Sequence, residues 1–189
     1  ILDLSEYGHM PMSNENDTVI VCQNGEIYNY PDLFRELEKR GHKFKSASDT
    51  EVIVHGYEEW GTEVFRRLDG MFAIAIFDRV TGSTFLARDR IGIKPLYYFR
   101  NSTTAYFSSE AKSFLALNRD IFSREINFQS LELLLGFMFL PDRERTSFDK
   151  VRKVVPGHYL EINKRGEIRD YEYWSLSGLD KEYRGDFDG

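Results

Sequence analysis

The chain has 189 residues, 41% hydrophobic and 30% charged, enough for one well-packed domain of ordinary globular composition. A formal net charge of −6 gives no reason to expect binding to nucleic acid or an anionic membrane, and no apolar run approaches a membrane span. A single cysteine, Cys22, excludes an internal disulfide and a Cys-rich zinc site, so the default is a cytoplasmic, reducing compartment.

In chain order, Ile1 to Leu4 reads as the end of a strand already under way. With no initiator methionine and no signal segment, the chain is expected to be a fragment. "TVIVCQ" (Thr18 to Gln23) is a β-branched run bounded by "NEND" and "NG", which predicts a strand. "NYPDLFRELEKRGH" predicts a helix. Pro31 and Asp32 suit its first turn, Leu33, Phe34 and Leu37 make one apolar face, and Gly41 can stop it.

"SASDTEVIVHGYEEWG" predicts a second helix. Ser48 and Glu51 have capping-box spacing, and Asp49 is the alternative cap; Val52, Ile53 and Tyr57 fall on the buried side. A short helical turn follows over "TEVFRRLDG". Two strands then flank a turn from Asp78 to Gly82. The first, Met71 to Phe77, carries no polar residue, so both of its faces must be covered.

"PLYYFRNSTTAYFSSE" predicts a hairpin turning at Asn101-Ser102. "SEAKSFLALN" predicts a helix with Phe114 and either Leu115 or Leu117 facing inward. "SLELLLGFMFL" is a further apolar helix or helix end, and "GHYLEIN" and "EIRDYEYW" are strands joined at Lys164-Arg165-Gly166. The polar, Gly- and Asp-rich residues 175–189 read as a linker toward further protein. Short hairpins and separate helices around doubly covered strands imply sheets sandwiched by helices, an α+β arrangement.

The chemistry-bearing candidates are few. His9, His42, His55 and His158 show no tight ligand spacing, so no metal site is expected. No GxxxxGK[ST] loop or GxGxxG fingerprint occurs, so no cofactor site is expected within these residues. Arg88-Asp89-Arg90 with Lys94 reads as a charged loop held by Arg–Asp pairing rather than a phosphate site.

Asn24-Gly25 after a strand is either a tight turn or two convergent donors, an amide N–H2 and an approachable backbone N–H, as an oxyanion hole requires. Asp49 is either a helix-start residue or a carboxylate for a substrate ammonium. Glu26 is either a solvated turn carboxylate or a second partner for that ammonium. Cys22 lacks a neighbouring base and reads as packed strand material, not a nucleophile.

Taken in order, "LDLSEYGHMPMSN", "NGEIYNY", "SDTEVIVHGYEEWG", "RLDGMFAIAIFD", "FLARDRIGIKPLYY", "FSSEAKSFL" and "VVPGHYLEI" with its later "YW" resemble the glutaminase domain of asparagine-synthetase-type class II glutamine amidotransferases. The resemblance implies a four-layer αββα sandwich of the N-terminal-nucleophile hydrolase type over residues 1–174, N-terminally truncated. It also implies that ammonia is released from glutamine by an N-terminal cysteine through a glutamyl thioester.

By the same resemblance, Asn24 and Gly25 are the oxyanion hole. Glu26 and Asp49 hold the α-amino group of glutamine, and Tyr28 and Asn29 wall the site. The family's N-terminal cysteine and carboxylate-gripping arginine have no counterpart here, so these residues alone are expected to hydrolyse no glutamine. The parent is expected to be a glutamine-hydrolysing asparagine synthetase, with ATP and Mg2+ belonging to a C-terminal synthetase domain. A homodimer is compatible with this. The alternatives are an amidotransferase acting on a polysaccharide or antibiotic precursor, and a non-catalytic domain that keeps the fold.

Overall fold

The computed structural model describes residues 8–177. The strand end expected at Ile1 to Leu4, and residues 178–189 of the expected linker, lie outside the described residues. Among the described residues, nine strands form two antiparallel sheets. The larger contains β1 (Met12–Ser13), β2 (Val19–Ile27), β3 (Gly70–Asp78), β4 (Ser83–Arg88), β8 (His158–Ile162) and β9 (Ile168–Glu172), in the order β1-β2-β3-β4-β8-β9. The smaller contains β5 (Tyr97–Arg100), β6 (Ala105–Ser108) and β7 (Arg152–Lys153), in the order β6-β5-β7.

The layer order follows from the period of two in the strands. On β3, Phe72, Ile74 and Ile76 point to one side, into a core shared with Leu33 and Leu37 of α1 (Tyr30–Lys39), Val52 and Ile53 of α2 (Glu51–Trp60), and Val64 and Phe65 of α3 (Val64–Arg67). Ala73 and Ala75 point to the other side and meet Leu86, Leu96, Val154 and Leu160, with Tyr98 and Ala105 of the small sheet packed against them. A third cluster, Phe99, Phe114, Phe122 and Val151, covers the far face of the small sheet.

Three apolar layers therefore separate helices, sheet, sheet and helical segments, the αββα order. Each fully buried Phe, Ile or Leu side chain contributes roughly 1.5–3 kcal/mol of transfer free energy. The small alanines of β3 let the two sheets approach where they face each other.

Local signals account for both ends of α1 and the start of α4. Pro31 lies in the first turn of α1, and Gly41 follows its C-cap with φ 99°, its N–H bonded to the Glu38 carbonyl. The segment Ala111–Ala116 is a 3₁₀ helix, not an α-helix, with Phe114 buried, Leu117 packed against the third cluster and Leu115 largely exposed. The apolar run near residue 130 forms α4 (Phe128–Phe137), capped by the Asn127 side chain accepting from Ser130 N–H.

The strand predicted to stop at Gln23 does not stop there. β2 continues through Asn24 and Gly25 to Ile27, in unbroken register with β3 down to Gly70. Asn24-Gly25 is therefore not a turn. No helix among the described residues is long and apolar enough to cross a membrane.

Candidate active site

The far half of β2 arranges the site. Side chains at Val19, Val21, Gln23 and Ile27 face the helices, whereas Cys22, Asn24 and Glu26 alternate toward the second sheet. Asn24 and Cys22 line a cavity of about 230 Å³ between the sheets, together with Ala73, Ala75, Leu96 and Ser109. The Asn24 side-chain amide donates to the Ser109 hydroxyl at 2.9 Å.

Gly25 pairs with Phe72, whose own N–H and C=O are both directed at Asp89 on the opposite side of β3. Gly25 thus occupies a non-hydrogen-bonded pair, and its N–H points away from β3 toward the sheet edge. Among the described residues, β1 covers that edge only opposite Ile20 and Val21. On the same edge, the Gln23 N–H meets the Met10 sulfur and the Ile27 N–H meets Asp49. A side chain at residue 25 would collide with β3 unless the strands shift. Its φ is 149°, and an added Cβ would lie 2.0 Å from the Met71 carbonyl oxygen.

Asp49 is buried, and it does not cap α2. The helix starts at Glu51 with Thr50 as its N-cap, and no side chain closes that end. One oxygen of Asp49 instead accepts from the Ile27 backbone N–H at 2.8 Å and the Gln23 side-chain amide at 3.1 Å. Gln23 completes the bridge by accepting from the Thr50 hydroxyl. The loop before α2 is thereby fastened to the strand that carries Asn24 and Gly25.

Glu51, expected in a capping box, turns back to accept from Lys45 N–H, Ser46 N–H and the Ser46 hydroxyl. Burial works against its charge, but the nearby His55 ring and these bonds hold its carboxyl below the ordinary value.

The remaining candidates fall around this frame. Glu26 is half-buried, and its carboxylate forms no hydrogen bond or ion pair among the described residues. Asn29 spends its amide on structure, donating to the Arg67 carbonyl and accepting from Asp69 N–H, each at 2.9 Å. Tyr28 is exposed, and its N–H bonds the Asp69 carbonyl. Asn24, Gly25 and Glu26 thus share the end of β2, with Asp49 fastened to that strand from its helix side and Asn29 pinning the chain just beyond it. Cys22 is half-buried against the inter-sheet core, and burial pushes its thiol pKa up.

Sequence reasoning missed Gln23 and Ser109, whose partners lie far along the chain. The charged loop also differs from expectation. Asp89 is fully buried and accepts from the backbone N–H groups of Phe72, Ile91, Ile93 and Lys94, not from an arginine. Arg88 donates to the carbonyls of Gly92, Lys94 and Val154.

A Bacillus subtilis (strain 168) protein named asparagine synthetase [glutamine-hydrolyzing] 1 is 39% identical over 178 residues, covering 94% of this chain and 27% of that protein. The B. subtilis protein named asparagine synthetase [glutamine-hydrolyzing] 2 is 41% identical over 184 residues, covering 95% of this chain and 24% of its own length. The chain therefore spans about a quarter of these relatives.

Among solved structures, glutamine phosphoribosylpyrophosphate amidotransferase from B. subtilis, complexed with ADP and GMP, superposes with a TM-score of 0.63. At 22% identity, over 91% of this chain and 33% of that one, it shows the same fold. The family model described as a glutamine amidotransferase domain matches residues 1–174, and the chain belongs to that family.

Proposed function

We propose that this chain is the ammonia-releasing domain of a glutamine-hydrolysing asparagine synthetase. The observation that carries the reading is the placement of Gly25. Its N–H is aimed at a sheet edge that no described strand covers there, between the N–H groups of Gln23 and Ile27, already held by Met10 and Asp49. In this reading a cysteine thiolate attacks the glutamine side-chain carbonyl, and the new C–S bond leaves a negative charge on oxygen. The Gly25 N–H and the Asn24 amide stabilise that oxyanion.

Collapse of the intermediate breaks the C–N bond. Ammonia leaves with an added proton, and water then cleaves the thioester to glutamate. Glu26 and Asp49 supply negative charge for the substrate's ammonium, and Tyr28 and Asn29 set the wall. Cys22 is not the nucleophile, because it is half-buried and its thiol pKa is raised.

The acceptor is aspartate, activated with ATP and Mg2+ in a synthetase domain beyond this one. The exposed apolar side chains Leu135, Phe137, Met138 and Phe139 support a partner domain that covers that face.

The test is Asn24→Ala in the whole protein. Glutamine-driven asparagine formation should fall about 10²–10³-fold in kcat. Formation driven by added ammonia, which bypasses the amidase site, should not change. Equal loss of both activities, or of neither, rejects the assignment. Ammonia release without asparagine from aspartate would move the acceptor to another carboxylate.

A further inference from the structure

Among the described residues, the proposed amidase residues leave a group of ligating side chains unused, on the helix layer. Donor atoms of His42, His55 and Glu58 all lie within 4.8 Å of one another. His42 follows α1, whereas His55 and Glu58 are separated by one turn of α2. The Nδ1 atoms of both rings face the same Glu58 oxygen, Oε2, at 2.9 Å from His55 and 3.9 Å from His42.

The second nitrogen of each ring faces another carboxylate. His55 Nε2 is 3.6 Å from Glu51 Oε1, and His42 Nε2 is 3.3 Å from Glu59 Oε2. His55 is 2% exposed, and its buried Nε2 has no hydrogen-bond partner. The other Glu58 oxygen is fixed by the Asn14 side-chain amide at 2.8 Å. Asn14 is itself buried and held on both amide atoms by Thr18 and Val19.

We propose that His42, His55 and Glu58 bind a divalent transition-metal ion, best fitted by zinc, through His42 Nδ1, His55 Nδ1 and Glu58 Oε2. Two imidazoles and a carboxylate form a ligand set suited to zinc, and water from the partly exposed His42 side completes four-coordination. Donors bound about 2.0–2.2 Å from one ion lie roughly 3.3 Å apart, so closing the site needs only a small inward turn of His42.

Glu51 and Glu59 then do what carboxylates behind metal-bound histidines commonly do. With the ion bound, Glu59 would accept the His42 Nε2–H and Glu51, 3.6 Å from His55 Nε2, would close on the outer N–H of that ring, fixing both tautomers while the Nδ1 proton of His55 is displaced by the metal. A cation is also electrostatically welcome among Glu51, Glu58 and Glu59; Arg40 compensates only Glu59, at 2.7 Å. The ion would tie the α1–α2 connection to α2 itself. Glu51 already braces residues 45 and 46 of that connection, just ahead of Asp49.

The experiment uses the whole protein, stripped with chelator, in excess Mg2+ to fill oxygen-ligand sites. Zinc is titrated calorimetrically, and Co2+ is added separately to read visible d–d absorption. The wild type should bind one zinc more than His42→Ala or Glu58→Gln, and the low-symmetry Co2+ bands should vanish in both variants. Glu58→Gln preserves shape and covers any folding defect in His42→Ala; circular dichroism checks both. Equal zinc stoichiometry in wild type and folded variants, or an unchanged Co2+ spectrum, overturns the proposal.

Discussion

The buried carboxylate of Asp49 accepts the backbone N–H of Ile27 at 2.8 Å and so fastens the loop before α2 to the end of β2. The Gln23 side chain adds a second tie from the same strand. The strand that carries the proposed oxyanion donors is therefore positioned by the residue proposed to bind the substrate's ammonium.

Asp49→Ala leaves the Ile27 N–H and the Gln23 amide without their acceptor, at a cost of about 2–3 kcal/mol in folding stability. Asp49→Asn keeps an acceptor oxygen and should lose about 1 kcal/mol. Urea unfolding of the two variants measures the difference. In the whole protein, Asp49→Asn should also raise the KM for glutamine. An unchanged KM with lowered stability would leave Asp49 a purely structural residue.

Gly25→Ala places a methyl group against the Met71 carbonyl at a φ unsuited to alanine. Strain and overpacking together should cost about 2–4 kcal/mol. The same substitution elsewhere, at Gly136, meets no atom within 4 Å and should be nearly neutral or stabilising. Parallel thermal melts compare the two sites. Equal shifts would mean that the close approach at Gly25 is not what restricts it.

Cys22 offers a pH test. Burial raises its thiol pKa, so the neutral thiol is favoured in the folded state. The stability it contributes is present below the unfolded value, ~8.5, and is lost as pH rises through the folded value. At pH 8, iodoacetamide should therefore alkylate Cys22 more slowly in the folded protein than in urea. Equal rates would contradict the burial. Cys22→Ala should leave any glutaminase activity of the whole protein intact.

Legibility in the sequence followed the reach of each interaction. The unbroken apolar run of β3 announced two covered faces, because alternation assigns Phe72, Ile74 and Ile76 to one side and Ala73 and Ala75 to the other. Pro31 and Gly41 marked α1 through local backbone rules. The passage of β2 through Asn24-Gly25 was not legible, since the pair locally favours a turn and only the ladder with β3 overrides it.

The fate of Asp49 was hidden for the same reason. Its partners lie 22 and 26 residues away, while the local pattern suggested a cap. His55 and Glu58 stand one helical turn apart, but His42 reaches them across the interhelical connection, where spacing carries no signal. The resemblance pointed to Asn24, Gly25, Glu26 and Asp49. Gln23 and Ser109, which hold two of them in place, became visible only in three dimensions.

Arg88 has a consequence of its own. Its guanidinium spans the carbonyls of Gly92, Lys94 and Val154, while Asp89 gathers the amides of Ile91, Ile93 and Lys94. Ile91 and Ile93 are nevertheless exposed. The loop behaves as a rivet plate: firm beneath and greasy on top. Its amides should resist deuterium exchange as core strands do, although its surface faces water. Lysine at residue 88 offers one compact ammonium where a planar fork is needed, and should loosen all three joined segments together.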